Sequence, residues 1–222
     1  AVADVFGFHA LQLGFPALNA LQANRMPHRW LGCDAHPEPW PVGRDVILTN
    51  YEALPFPSAS LDLLVLPHTL ELSYDPHATL REVERVLVPE GRVVICGFNP
   101  NSLWGISKSC QRGFNEVGDF IGQRRLRDWL QLLSFEVEST SFGCYRPAVQ
   151  TERWLQRWDW MDQAGVRWWP ILGAVYGMVA VKRVHGMRLM SPAWKKSAPR
   201  AAVAVTSASS TANQTAASQG ME

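Results

Sequence analysis

Apolar positions along the chain follow two rhythms that sort it into strands and helices. Leu61 to Leu66 (LDLLVL) is apolar almost without interruption over strand length, the pattern of a parallel strand buried on both faces. His77 to Val88 (HATLREVERVLV) instead sets Leu80, Val83, Val86 and Leu87 at helical spacing with charges between them, and Asp75-Pro76 supplies a start signal. Pro89-Glu90-Gly91 is expected to end that helix, and Arg92 to Phe98 (RVVICGF) reads as another buried strand. Strand, helix and strand joined by short connections form a parallel crossover unit, which predicts a doubly wound α/β sheet.

The flanks extend the pattern. His9 to Phe15 (HALQLGF) alternates as a strand and runs into Gly-Phe-Pro; a helix is expected over Ala17 to Arg25. Arg29 to Asp34 (RWLGCD) and Asp45 to Thr49 (DVILT) are predicted strands separated by the prolines at 37, 39 and 41. Further on, Arg124 to Leu133 reads as an amphipathic helix and Phe135 to Phe142 as a strand. Gln150 to Ala164 reads as a tryptophan-rich helix, and Leu172 to Val184 as a final strand pair or one long strand. From Gly186 the composition collapses into Ala, Ser, Thr and Gln, too poor in large apolar groups to offset the entropy of ordering. The expected organisation is a domain over residues 1–185, with an aromatic-rich insertion at about 150–170, and a disordered tail over 186–222.

Composition narrows the classes. The 222 residues, 47% apolar and 18% charged, suffice for one catalytic-size domain. Formal charge is +1; four basic residues against Glu222 lie beyond Gly186, so the tail carries +3 and the body −2. A near-neutral body gives no electrostatic footprint for nucleic acid. The cysteines at 33, 96, 110 and 144 form no C-x-x-C pair, which points to reduced thiols in the cytoplasm and to no metal. No run approaches the ~20 apolar residues of a membrane span. The chain opens on Ala1 ahead of an apolar stretch, and a natural N-terminus further upstream is expected.

From Asn50 to Asn99 a series of short motifs stands in fixed order: Glu52-Ala53-Leu54-Pro55-Phe56, Leu61-Asp62, His68 to Glu71, Arg85-Val86-Leu87 and Pro89-Glu90-Gly91. This series resembles the type 11 group of class I S-adenosylmethionine-dependent methyltransferases. The resemblance implies a Rossmann-like, mostly parallel seven-stranded sheet, S-adenosylmethionine as cofactor and a small-molecule acceptor. It also implies site residues. Gln12-Leu13-Gly14 stands for the strand end and the first glycine of the family's loop, with Phe15, Pro16 and Ala17 where further glycines would be. Asp34, twenty positions past Gly14, stands for the carboxylate that receives the ribose hydroxyls. Asn50 and Tyr51 lie where the family meets adenine, and Pro67 borders the methionine portion of the cofactor.

Each residue type suits its place. A glycine lets a ligand lie against backbone, and an ionised carboxylate is an acceptor matched to a diol. Plainer roles stay open beside these: a turn glycine at 14, an Asx turn or cap at Asp34, packing for Tyr51 and a loop position for His68. Methyl transfer depends mostly on placing the acceptor in line with the donor, so no catalytic triad is required. Where the acceptor must lose a proton, His68 is the candidate base. Glu71 and Asp75 are expected to be solvated or capping, Asp62 to position backbone, and the tryptophans at 154, 158, 160, 168 and 169 to pack in core and lid. The segments Asn99 to Gln123 and Gln150 to Pro170 are expected to cover a partly apolar acceptor site. The irregular glycine loop leaves a second reading, an interaction module on the same fold without catalysis.

Overall fold

A computed structural model describes residues 2–102, 105, 120–145 and 167–183. The chain divides into two units, Ala1–His185 and Gly186–Glu222; the second lies outside the described residues, as does the expected tryptophan-rich helix at 150–164.

Seven strands make one sheet in the order β3-β2-β1-β4-β5-β7-β6. They are β1 (His9–Leu13), β2 (His28–Cys33), β3 (Asp45–Leu48), β4 (Leu61–Pro67), β5 (Leu87–Phe98), β6 (Phe135–Gly143) and β7 (Val175–Lys182). Strands β1 to β5 pair in parallel, and β7 enters antiparallel between β5 and β6. The short helix α1 (Thr69–Leu72) follows β4, α2 (Pro76–Val86) leads into β5, and α3 (Gln123–Leu132) precedes β6.

The side-chain alternation of a strand divides the core in two. Leu11, Leu13, Leu64, Leu66, Val93, Ile95 and Met178 face the helices and pack against Leu80, Val83 and Val86 of α2 and Leu126 and Leu130 of α3. Ala10, Leu63, Val65, Val94 and Val179 face the other way, against Val5, Leu21 and Met26. Burial of β4 on both faces is what its uninterrupted apolar run anticipates.

Helix α2 starts where Asp75 accepts hydrogen bonds from the N–H groups of His77 and Ala78, with Pro76 at the first helical position. At its other end Lys182, buried in β7, donates from Nζ to the carbonyls of Glu84 (2.5 Å) and Leu87 (3.0 Å) and pairs with the Glu84 carboxylate. The helix passes into β5 without a loop. Pro89-Glu90-Gly91 therefore does not end the helix; it forms an irregularity inside the strand, where the register against β4 jumps and Glu90 takes a positive φ of 65°. The final apolar stretch is one strand, not a pair.

One predicted element is absent. Residues 17–25 form successive turns rather than a helix, and side chains from outside the segment hold those turns. The buried Gln12 donates from Nε2 to the carbonyls of Gly14, Phe15 and Leu18 and accepts from the N–H of Ala20. Arg44 donates to the carbonyls of Pro16 and Leu18. These bonds fasten the turns, and the β1-to-β2 crossover is a stapled loop.

Candidate functional site

The strand order reverses between β1 and β4, and a crevice opens at the carboxyl ends of strands beside such a switch point. Pairing of Gln12 with Val65 sets Gly14 level with Pro67 across that crevice. Gly14 has φ +71° and donates its N–H to the Gly32 carbonyl at 2.7 Å. A Cβ there would stand 3.2 Å from Tyr51 Oη and 3.3 Å from Thr69 Oγ1, so glycine is required by conformation and by space. Thr69 is itself fixed, donating to the Leu13 carbonyl at 2.5 Å. The next residue, Phe15, also has positive φ, 47°, so the chain leaves β1 through two left-handed residues of which the second bears a ring.

Tyr51 reaches into this crevice from the turn after β3. Its buried hydroxyl donates to Asp34 Oδ1 at 3.1 Å, and burial first and the Asp34 charge second hold the phenol above its ordinary range, fully protonated as a donor. Asp34 itself is exposed at the end of β2, and its Oδ2 has no bond among the described residues. Asn50 folds its side-chain oxygen back onto the Glu52 N–H at 2.9 Å, leaving its amide N–H2 uncommitted among the described residues. Four of the sequence candidates, Gly14, Asp34, Asn50 and Tyr51, thus gather on one rim. Gln12 lies beneath them with its amide engaged by the loop, so it shapes the rim and does not face it.

Pro67 ends β4, buried, and His68 follows in the left-handed region (φ 58°) with its N–H on the Cys96 carbonyl at 2.9 Å. The His68 ring stacks on Phe98 with centroids 4.1 Å apart and meets Phe15 edge-on at 6.1 Å. Phe98 stacks in turn on Phe120 at 5.1 Å, giving the far wall an aromatic lining. Nδ1 of His68 lies 3.0 Å from Oε2 of Glu71.

Glu71 is the departure from expectation. It is 5% exposed rather than solvated, and its other oxygen accepts the Phe98 N–H. Its charge adds to burial in pushing the Cys96 thiol and the Tyr176 phenol up. The signal available in the sequence was a single acidic residue between Leu70 and Leu72, three positions past His68. Asp75 caps α2 as expected, and Asp62 Oδ2 accepts the N–H groups of Phe8 and His9. Trp168 and Trp169 are exposed and join neither core cluster of the described residues; Trp154, Trp158 and Trp160 lie outside the described residues.

Comparison with known proteins bears on the family and the fold. The type 11 model described as a methyltransferase domain matches residues 14–95. The uncharacterized protein YafS of Escherichia coli is 34% identical over 206 residues, covering 90% of this chain and 79% of that protein. The chain belongs to the type 11 class I methyltransferases.

Malonyl-[acyl-carrier protein] O-methyltransferase 1 of Coxiella burnetii is 28% identical over 118 residues, 53% of this chain and 39% of its own length. The fold is also that of a SAM-dependent methyltransferase from Thermotoga maritima, with a TM-score of 0.61 at 15% identity over 81% of this chain and 84% of that one. In this chain the motifs that carry the family pattern turn out to be a clamp. Arg85 donates to the carbonyls of Leu54 and Phe56 and pairs with Glu82, while Glu82 accepts the Leu54 N–H. The ALPF turn and the RVL helix end are one hydrogen-bonded unit that holds the β3-to-β4 connection, and with it Asn50 and Tyr51, beside the crevice. Among the described residues no helix is long and apolar enough to cross a membrane.

Proposed function

We propose that the protein is an active S-adenosylmethionine-dependent methyltransferase with a small-molecule acceptor. The observation that carries this reading is the rim at the switch point: a constrained glycine, an exposed carboxylate with one oxygen pinned and one open, and a tyrosine fixing that carboxylate. These residues fit the cofactor. A diol offers two donors to an acceptor-only group, and Asp34 Oδ2 is placed to receive them while Tyr51 holds Oδ1. Asn50 Nδ2 would meet the adenine edge, Gly14 would lie against the nucleoside, and Pro67 would border the methionine end. The cofactor would supply a methyl group on a sulfonium, so the protein's work is placement and exclusion of water. Phe15, Phe98 and Phe120 make the wall beyond Pro67 apolar, and His68 is the candidate catalytic group there. Free thiols at Cys33 and Cys96 suit a reducing compartment, the cytoplasm.

Calorimetric titration with S-adenosylmethionine and with S-adenosylhomocysteine tests the reading. Binding is expected, weakened at least ~10-fold in Asp34→Ala through the lost charge-assisted hydrogen bonds. One observation favours the alternative, an interaction module: Tyr51 Oη already occupies an oxygen of Asp34 and crowds Gly14. No heat at millimolar cofactor, in wild type and in Tyr51→Phe alike, would favour that alternative.

A further inference from the structure

We infer that Glu71 is a positioning residue that fixes His68 as the Nδ1–H tautomer, which makes Nε2 a base for an acceptor arriving with a proton on its nucleophilic atom. The base role rests on the methyltransferase reading; the tautomer does not.

The inference follows from counting donors and acceptors. A carboxylate only accepts hydrogen bonds. Glu71 Oε1 receives the Phe98 N–H and Oε2 faces His68 Nδ1 at 3.0 Å, so Nδ1 must carry the ring proton. In the neutral ring Nε2 is then a bare acceptor, and it has no protein partner among the described residues. The ring cannot turn to exchange its nitrogens, because Phe98 stacks on its face, Phe15 meets its edge and its backbone is anchored on Cys96 in a left-handed conformation. The other titratable groups facing Glu71 are the Cys96 thiol on β5 and the Tyr176 phenol on β7. Both are held protonated by burial and by the Glu71 charge, and the Tyr176 hydroxyl is committed to the Ile121 carbonyl. Neither competes for the His68 proton.

The arrangement selects a class of acceptor. An anionic oxygen, such as a carboxylate, has no proton for Nε2 to receive and would meet the buried Glu71 charge behind the ring. A hydroxyl or ammonium group suits the site instead. Its proton passes to Nε2, the lone pair so freed forms the bond to the methyl carbon, and the carbon–sulfur bonding pair returns to the sulfur of S-adenosylmethionine. The imidazolium, stabilised by Glu71, afterwards releases the proton to water.

Glu71→Gln provides the discriminating test. A glutamine has one acceptor oxygen, which the Phe98 N–H claims, so its N–H2 faces Nδ1 and drives the ring proton to Nε2. Long-range proton–nitrogen correlation NMR on the ¹⁵N-labelled full chain reads the tautomer directly, with His68→Gln assigning the signal. The expected result is Nδ1–H in the wild type and Nε2–H in Glu71→Gln. A wild-type Nε2–H signal, or an unchanged tautomer in a Glu71→Gln chain with native circular dichroism, overturns the proposal. If the variant does not fold, the wild-type spectrum alone decides. Phenol and benzoate titrated into the wild type then test the acceptor class. A saturable shift of the His68 Nε2 signal with phenol and none with benzoate is expected; a shift with benzoate, or none with phenol, refutes it. The expected tautomers together with no cofactor binding would overturn the methyltransferase reading and leave the Glu71–His68 pair standing.

Discussion

Alanine at position 14 separates two constraints that the crevice places on one residue. The first is conformational: at φ +71° an L-residue with a Cβ costs about 1–2 kcal/mol relative to glycine. The second is crowding, since the new methyl would sit 3.2 Å from Tyr51 Oη and 3.3 Å from Thr69 Oγ1. Neither neighbour is free to yield, because Tyr51 is bonded to Asp34 and Thr69 to the Leu13 carbonyl. Displacing one of them forfeits about 1 kcal/mol of hydrogen bonding. The expected loss is therefore about 2–3 kcal/mol, or a fall in Tm of roughly 4–12 °C for a domain of this size. Gly43 is the control. It has φ +73° and nothing within 4 Å of an added Cβ, so Gly43→Ala should show the conformational cost alone. Urea unfolding of both variants, with m unchanged, gives the comparison. In a Tyr51→Phe background part of the excess at position 14 should disappear, since the crowding hydroxyl is gone. Equal losses for the two glycine variants, within about 0.5 kcal/mol, would refute the crowding argument and with it the picture of a crevice filled by fixed side chains.

Gln12→Leu should destabilise by about 3 kcal/mol or more, because the carbonyls of Gly14, Phe15 and Leu18 lose a shared donor; thermal unfolding measures it, and hydrogen exchange should rise over residues 14–20. Lys182→Met should cost about 2–4 kcal/mol in the same assay, since the last carbonyls of α2 lose a buried charged donor. The Arg85 guanidinium bonded to Glu82 holds that carboxyl below the usual carboxylate range. Its contribution to stability is therefore complete above the unfolded-state value near 4.3 and fades as pH falls through the lower folded-state value. Glu82→Gln should accordingly flatten the acid limb of a stability-against-pH curve below about pH 4.5 and leave its neutral region parallel to the wild type.

How far the sequence speaks for itself varies along the chain. Strands β4 and β5 were legible because burial on both faces writes itself as an unbroken apolar run, and α2 because Asp75-Pro76 and the spacing of Leu80, Val83 and Val86 agree. The turns at 17–25 were not legible as turns. They are held by Gln12 and Arg44, side chains from outside the segment, and no local pattern records a carbonyl being bonded from a distance. The family motifs were legible as a resemblance but not as a mechanism, and the hydrogen bonds of Arg85 and Glu82 give them a structural reason. Of the site, the rim residues could be named through the family resemblance, and Gly14, Asp34, Asn50 and Tyr51 follow closely on the ends of β1, β2 and β3. Glu71 escaped because it is held buried by a bond from Phe98 of β5, 27 residues further along the chain.

The position of β7 carries a consequence for how the polypeptide is made. β6 pairs only with β7 among the described residues, and the outer edge of β5 is closed only by β7, yet β7 is the last of the seven strands to be synthesised. While translation proceeds, two strand edges stand open that the finished protein never exposes, and the Lys182 seal on α2 is missing as well. A nascent chain arrested short of Val175 should therefore be cleaved readily by added protease at the β5 and β6 segments, and chaperone demand should be concentrated in the interval before the final strand emerges.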